Sequence, residues 1–176
     1  MRFKYLVHGG VSMLVLGIDP GLAILGYGIV EREYSMLCPI DYGTVNTPAH
    51  MDTSQRLVRI FDGVCEIMEH FRPDAVAIEE LFFNKNVKTA ISIGQARGVA
   101  IVAAAKYGVP IYEYTPLQVK QAVVGYGRAE KIQVQNMVKM LLGLNEIPKP
   151  DDAADALGIA ICHINNIDMY RKLKYR

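Results

Sequence analysis

Residues 13–18 read Met-Leu-Val-Leu-Gly-Ile, an apolar run that breaks off at Asp19, Pro20 and Gly21. So short a run suits a strand and not a membrane span, and its lack of polar alternation marks a strand buried on both faces. A sheet containing such a strand must be covered on each side, which points to an α/β arrangement with helices on the faces. Asp-Pro-Gly is turn chemistry, so Asp19 stands where a core strand ends.

The rest of the chain repeats this alternation of core and turn. Residues 24–31 and 40–46 are rich in β-branched and aromatic side chains and predict two more strands joined by hairpin-type connections. Residues 52–72 change period, with Leu57, Ile60, Phe61, Val64, Ile67, Met68 and Phe71 recurring every three or four positions, which predicts an amphipathic helix ended by Pro73. A buried strand at 75–78 then runs into Glu79 and Glu80. A mostly apolar helix follows at 89–107, a strand at 110–114, and a helix opened by Thr115 and Pro116. Helices at 129–142 and 151–165 complete the order βββαβαβααα, which implies a mixed sheet flanked by helices.

With 176 residues, 51% hydrophobic and 21% charged, the chain suits a single folded domain and lacks the charge-rich signature of disorder. We expect that domain at 13–165, preceded at 1–12 by an upstream extension or cloning remnant and followed at 166–176 by a basic tail. The first residues are interrupted by His8, Gly9, Gly10 and Ser12 and show no cleavage site, so a soluble, cytoplasmic protein without a membrane segment is expected. Cys38, Cys65 and Cys162 are isolated, in keeping with a reducing compartment. The net charge of +1 hides an uneven distribution: residues 1–83 carry 6 basic and 11 acidic side chains, and residues 84–131 carry 7 and 2. A basic middle between acid-bearing flanks is compatible with a polyanionic partner.

The chemistry resides in the acids. Asp19 and Glu79 each end a core strand, and strand ends are where open α/β sheets place ligands. Asp152 and Asp155 lie three apart in the first turn of the last helix and share a face, although pairing Asp151 with Asp155 satisfies the spacing equally. Partly buried carboxylates need a compensating charge, which a hard divalent cation supplies. Two Mg²⁺ ions, or Mn²⁺ in their place, roughly 3.5–4 Å apart would serve an in-line phosphodiester displacement. Zinc-ligand spacing, a Ser-His-Asp arrangement and a phosphate-binding Gly-x-x-x-x-Gly-Lys-Ser/Thr loop are all missing from the sequence.

Six ordered blocks then carry a resemblance: Leu-Gly-Ile-Asp-Pro-Gly at 16–21, Ala-Ile-Glu-Glu at 77–80, Gly-Gln-Ala-Arg-Gly at 94–98, Gln-Val-Lys-Gln at 118–121, Ala-Glu-Lys at 129–131 and Asp-Ala-Ala-Asp-Ala-Leu at 152–157. In order and spacing they resemble the bacterial RuvC crossover-junction (Holliday junction) endodeoxyribonucleases, from Met13 to about His163. The resemblance implies an RNase H-like fold with a five-stranded mixed sheet, a homodimer, and Mg²⁺-dependent symmetric nicking of four-way DNA junctions alongside a branch-migration motor. The expected cuts leave 5′-phosphate and 3′-hydroxyl ends.

Carried over by position, the catalytic and metal-binding carboxylates are Asp19, Glu79, Asp152 and Asp155, with Asp19 shared between two ions; it is the resemblance that prefers Asp152 to Asp151. Lys120 and Lys131 match phosphate-contacting lysines, either of which could stabilise charge at the phosphorus. Lys85, Lys88, Arg97 and Arg128 are further candidate DNA contacts, and Phe82, or its neighbour Phe83, matches an aromatic that stacks on a base. Glu80 is expected to turn away from Glu79 by strand alternation. Rival readings are a catalytically inactive junction-binding module and an actin-like or sugar-kinase-type ATPase, the latter needing a second domain for which this length leaves no room.

Overall fold

The computed structural model describes residues 12–81 and 87–174, with side chains from 12 to 81 and from 89 to 167. Ten elements follow in the expected order: β1 (Met13–Asp19), β2 (Ile24–Glu33), β3 (Met36–Asn46), α1 (Thr53–Phe71), β4 (Ala75–Glu79), α2 (Val87–Ala105), β5 (Ile111–Tyr114), α3 (Pro116–Val124), α4 (Lys131–Leu141) and α5 (Asp151–Lys174). They build one five-stranded sheet in the order β3-β2-β1-β4-β5. The first three strands are antiparallel, whereas β4 and β5 run parallel to β1.

β1 lies at the centre, and its apolar run serves both faces. Leu14, Leu16 and Ile18 pack with α1 and α2 through Ile60, Val64, Met68, Ala96 and Ala100. Met13 and Val15 face the other side, where α3, α4 and α5 contribute Val119, Val138, Leu157 and Ile161. This double cover is what an unalternating strand requires.

α5 sits on the sheet at backbone distance. A Cβ placed on Gly17 would lie 2.0 Å from the Ala156 carbonyl oxygen, and one on Gly26 would lie 2.1 Å from that of Asp152. The strand glycines and the small residues Ala153, Ala156 and Ala160 thus form matching smooth surfaces. No bulkier pair could bring the two backbones together so closely.

Several boundaries differ from the sequence expectation for local reasons. β3 begins at Met36 rather than 40, although it contains Pro39. An edge strand tolerates a missing N–H, and a register irregularity opposite, between Ile29 and Val30, absorbs the distortion. Tyr34, with φ of 56°, makes the tight turn into it. α4 starts at Lys131 rather than 129 because Glu130 caps it, its backbone N–H donating to Gln133 Oε1 at 2.8 Å. α5 continues past residue 165, where the sequence reading ends it, to Lys174. Asn166 Nδ2 donates to the Cys162 carbonyl one turn back, and Asn165 Nδ2 donates across to the Ala122 carbonyl on α3.

Candidate active site

Ile18 of β1 pairs with Ile78 of β4 in parallel register, so the next residues, Asp19 and Glu79, end adjacent strands side by side. Leu16, Ile18, Val76 and Ile78 all belong to the α1/α2 face. Strand alternation therefore sends Asp19 and Glu79 to the opposite face, under α5. Gly26, the antiparallel register partner of Asp19, is the glycine over which the Asp152 backbone rests. The first turn of α5, with Asp152 and Asp155, is thereby laid against the strand end that carries Asp19.

Burial and neighbouring charge act on these groups together. Burial, reinforced by Glu79, Asp155 and Asp152 in that order, pushes the Asp19 carboxyl up to about 7, and Lys131 opposes it. Burial and then the charge of Asp155 push Glu79 to about 7 as well, against Lys120 and Lys131. Asp155 is raised chiefly by burial, although it accepts a hydrogen bond from Lys131 Nζ at 2.9 Å. Burial draws the Lys131 ammonium downward, but Asp155 and Asp151 outweigh it and hold the group above its ordinary value. Desolvated carboxylates that raise one another form a site in want of positive charge.

The two candidates for the third acid differ in setting, and both raise Asp155, Asp151 more than Asp152. Asp151 is exposed and lies 3.4 Å from Lys131 at the rim. Asp152 is half-buried and acts on Asp19 directly.

Among the expected DNA contacts, Lys120 of α3 and Lys131 at the start of α4 reach the carboxylates electrostatically. Arg128 is exposed in the turn before α4. Arg97 departs from expectation: its Nε donates to the Glu79 carbonyl oxygen at 3.0 Å and its Nη2 pairs with the Glu113 carboxylate, leaving the side chain 16% exposed. Phe82, Phe83 and Lys85 lie outside the described residues, as does the side chain of Lys88.

Two partners were not found from sequence. Glu113 looked like an ordinary polar residue of a strand, and only the β4–β5 pairing brings it beside the Glu79 strand end. Arg56 of α1 donates from Nε to Thr47 Oγ1 at 2.8 Å and, with Gly21, Leu22, Thr89, Ser92 and Asp152, lines a groove beside the Asp19 turn. Its place on the polar face of an amphipathic helix gave no signal of this.

The donor set consists of carboxylate oxygens, the chemistry of a hard divalent cation. Among the described residues no three His, Cys, Asp or Glu side chains stand as a ready-made metal-holding cluster. Lys131 lies against Asp155. The residues fit the group through their oxygen chemistry, their rigid supports and their shared electrostatic strain.

Comparison with known proteins identifies one family. The sequence model of one protein family, Crossover junction endodeoxyribonuclease RuvC, matches residues 15–163. A crossover junction endodeoxyribonuclease RuvC from Caldanaerobacter subterraneus subsp. tengcongensis is 60% identical over 163 residues, covering 93% of this chain and 99% of the relative. One from Clostridioides difficile is 58% identical over 162 residues, covering 92% and 96%. Among solved structures, T. thermophilus RuvC in complex with a Holliday junction substrate superimposes with a TM-score of 0.82 at 40% identity, covering 89% of this chain and 96% of that one.

Proposed function

Because the chain belongs to the RuvC family of crossover junction endodeoxyribonucleases, we propose that it nicks four-way DNA junctions at the site where β1, β4 and α5 meet. It is a structure-selective endonuclease of RNase H-like fold that resolves Holliday junctions in recombination and repair. The observation that carries the assignment of the site is the register that ends Asp19 and Glu79 side by side on adjacent strands, with the Asp152 backbone laid over Gly26, the partner of Asp19. Asp19, Glu79, Asp152 and Asp155 are the residues we assign to metal binding, with Mg²⁺ as the physiological ion, Mn²⁺ as a substitute, and two ions per site. When bound, such ions supply charge neutralisation and Lewis acidity at the scissile phosphate.

The protein's own groups do the rest. Asp19 and Glu79 are carried on strands of the central sheet and cannot drift as loop residues would. Lys131, within reach of Asp155, and Lys120, near Glu79, are placed to meet negative charge that grows on a phosphate oxygen. With Arg128, they give the rim backbone contacts that raise affinity without reading bases. Phe82, Lys85 and Lys88, which follow Glu79 in the sequence, remain our candidates for further DNA contact. The products are 5′-phosphate and 3′-hydroxyl ends.

A four-way junction offers two equivalent strands, so two equivalent sites related by a two-fold axis are needed. We assign the interface to α2, which exposes Ile91 and Val102 to solvent at 57% and 61%. We further assign it work beside a branch-migration motor, on chromosomal DNA in the cytoplasm. Among the described residues no helix is long and apolar enough to cross a membrane. We read the domain as beginning at 13, after a preceding segment at 1–12, and extend it past 165, because α5 runs on to Lys174 without a break at the proposed start of the tail at 166–176.

Incubation with a synthetic four-way junction and with a linear duplex of equal length, with and without Mg²⁺, tests the proposal. Paired symmetric nicks in the junction alone, and only with the metal, are expected. Binding without cutting would indicate an inert junction-binding module instead.

A further inference from the structure

Arg97 holds the end of a catalytic strand and is turned away from solvent. It projects from the middle of α2, where one guanidinium meets two acceptors on two neighbouring strands. Nε donates to the main-chain carbonyl of Glu79, the last residue of β4, at 3.0 Å. Nη2 pairs with the carboxylate of Glu113, the β5 residue in register with Ile78. On the other side of the same peptide, the Glu80 N–H donates to the Tyr114 carbonyl at 2.8 Å. The peptide that follows Glu79 is therefore bonded at both its oxygen and its nitrogen, and the oxygen is bonded by Arg97.

The direction of the Glu79 side chain depends on the backbone at its own Cα, and that backbone lies where the β4 ladder ends. An unsecured strand end frays, and a shift of about 1 Å in a catalytic group can lower a rate about a hundredfold. A planar guanidinium can serve a carbonyl and a carboxylate together at fixed angles, which a lysine ammonium on its flexible stem cannot. The Glu113 charge in turn holds the guanidinium in place and is itself half exposed, with Arg97 at 16% and Glu113 at 50%.

We propose that Arg97 is a positioning residue for strand cleavage, fixing the peptide after Glu79 through its carbonyl and being fixed in turn by Glu113. This rests on the junction-cutting reading above. It contrasts with the expectation that Arg97 contacts DNA phosphates, since a guanidinium committed to these two partners would have to abandon an ion pair to do so.

The test uses the full-length protein and a synthetic four-way junction. Junction affinity is measured in metal-free buffer at several salt concentrations, and single-turnover cutting at saturating protein with Mg²⁺. For Arg97→Met the expected result is cutting at least about tenfold slower, junction Kd within about twofold of wild type, and an unchanged salt slope. Arg97→Lys should recover only part of the rate. Glu113→Gln, which leaves the Nε bond in place and serves if Arg97→Met does not fold, should slow cutting less but in the same direction, again with affinity unchanged.

Cutting at the wild-type rate in Arg97→Met or, where that variant does not fold, in Glu113→Gln overturns the proposal. So does a much weaker junction Kd with a salt slope reduced by about one, the mark of a lost phosphate contact. Wild-type protein in the same assay separates the two ideas: if it does not cut junctions, the functional reading fails, and if it cuts while the variants cut equally well, only the role of Arg97 fails.

Discussion

Burial and three neighbouring acids all oppose the ionisation of Asp19. Replacing it by Asn keeps the shape and removes the charge. Mg²⁺-dependent junction cutting should fall to background while junction binding stays within about threefold of wild type, checked by nicking and mobility-shift assays on the same substrate. A second consequence concerns pH. A carboxyl raised from 3.8 to about 7 in the folded state contributes stability that is full below the unfolded value and is lost as pH rises through about 7. Glu79, raised from 4.5 to about 7, behaves alike. Metal-free wild-type protein should therefore lose stability in urea between about pH 4 and 7. Asp19→Asn should show a flatter profile and greater stability at pH 8.

At the scale of elements, the closeness of α5 to β1 and β2 decides whether acids distant in sequence can meet. Gly17→Ala would put a methyl 2.0 Å from the Ala156 carbonyl oxygen and 2.8 Å from the Ala160 nitrogen, so the helix must move off the sheet. We expect a loss of about 1–3 kcal/mol or more in denaturant unfolding, with cutting impaired beyond what the remaining folded fraction explains. The element order was legible in sequence because apolar period and turn chemistry changed together at each boundary, which also let Asp19 and Glu79 be placed at strand ends and Asp155 near the start of the last helix. The intimacy of α5 with the sheet was not, since a strand glycine looks the same whether it faces a helix backbone or open space. The end of α5 was misread because Asn165 and Asn166 carry turn-type side chains whose amides here bond to carbonyls of α3 and of α5 itself. The Arg97–Glu113 pair was hidden because 16 residues and a strand crossing separate its members.

For the whole molecule, the described residues of one chain present one strand-end candidate site, whereas resolution of a junction needs two cuts. Val102→Glu places a charge on the exposed face of α2, where burying it against a second subunit is costly. Sedimentation should show wild type as a dimer and this variant shifted toward monomer, and its cuts should become unpaired, so that nicked junctions accumulate in place of resolved duplexes. A dimeric variant with paired cuts would move the interface elsewhere on the surface.

The account depends above all on acids from three elements jointly holding a divalent ion, and anomalous scattering from crystals soaked in Mn²⁺ tests this directly. A peak within about 2.5 Å of an Asp19 carboxylate oxygen, with Glu79 or Asp155 in the same coordination sphere, is the predicted result. Manganese bound only away from Asp19, or no peak there at saturating Mn²⁺, would contradict it.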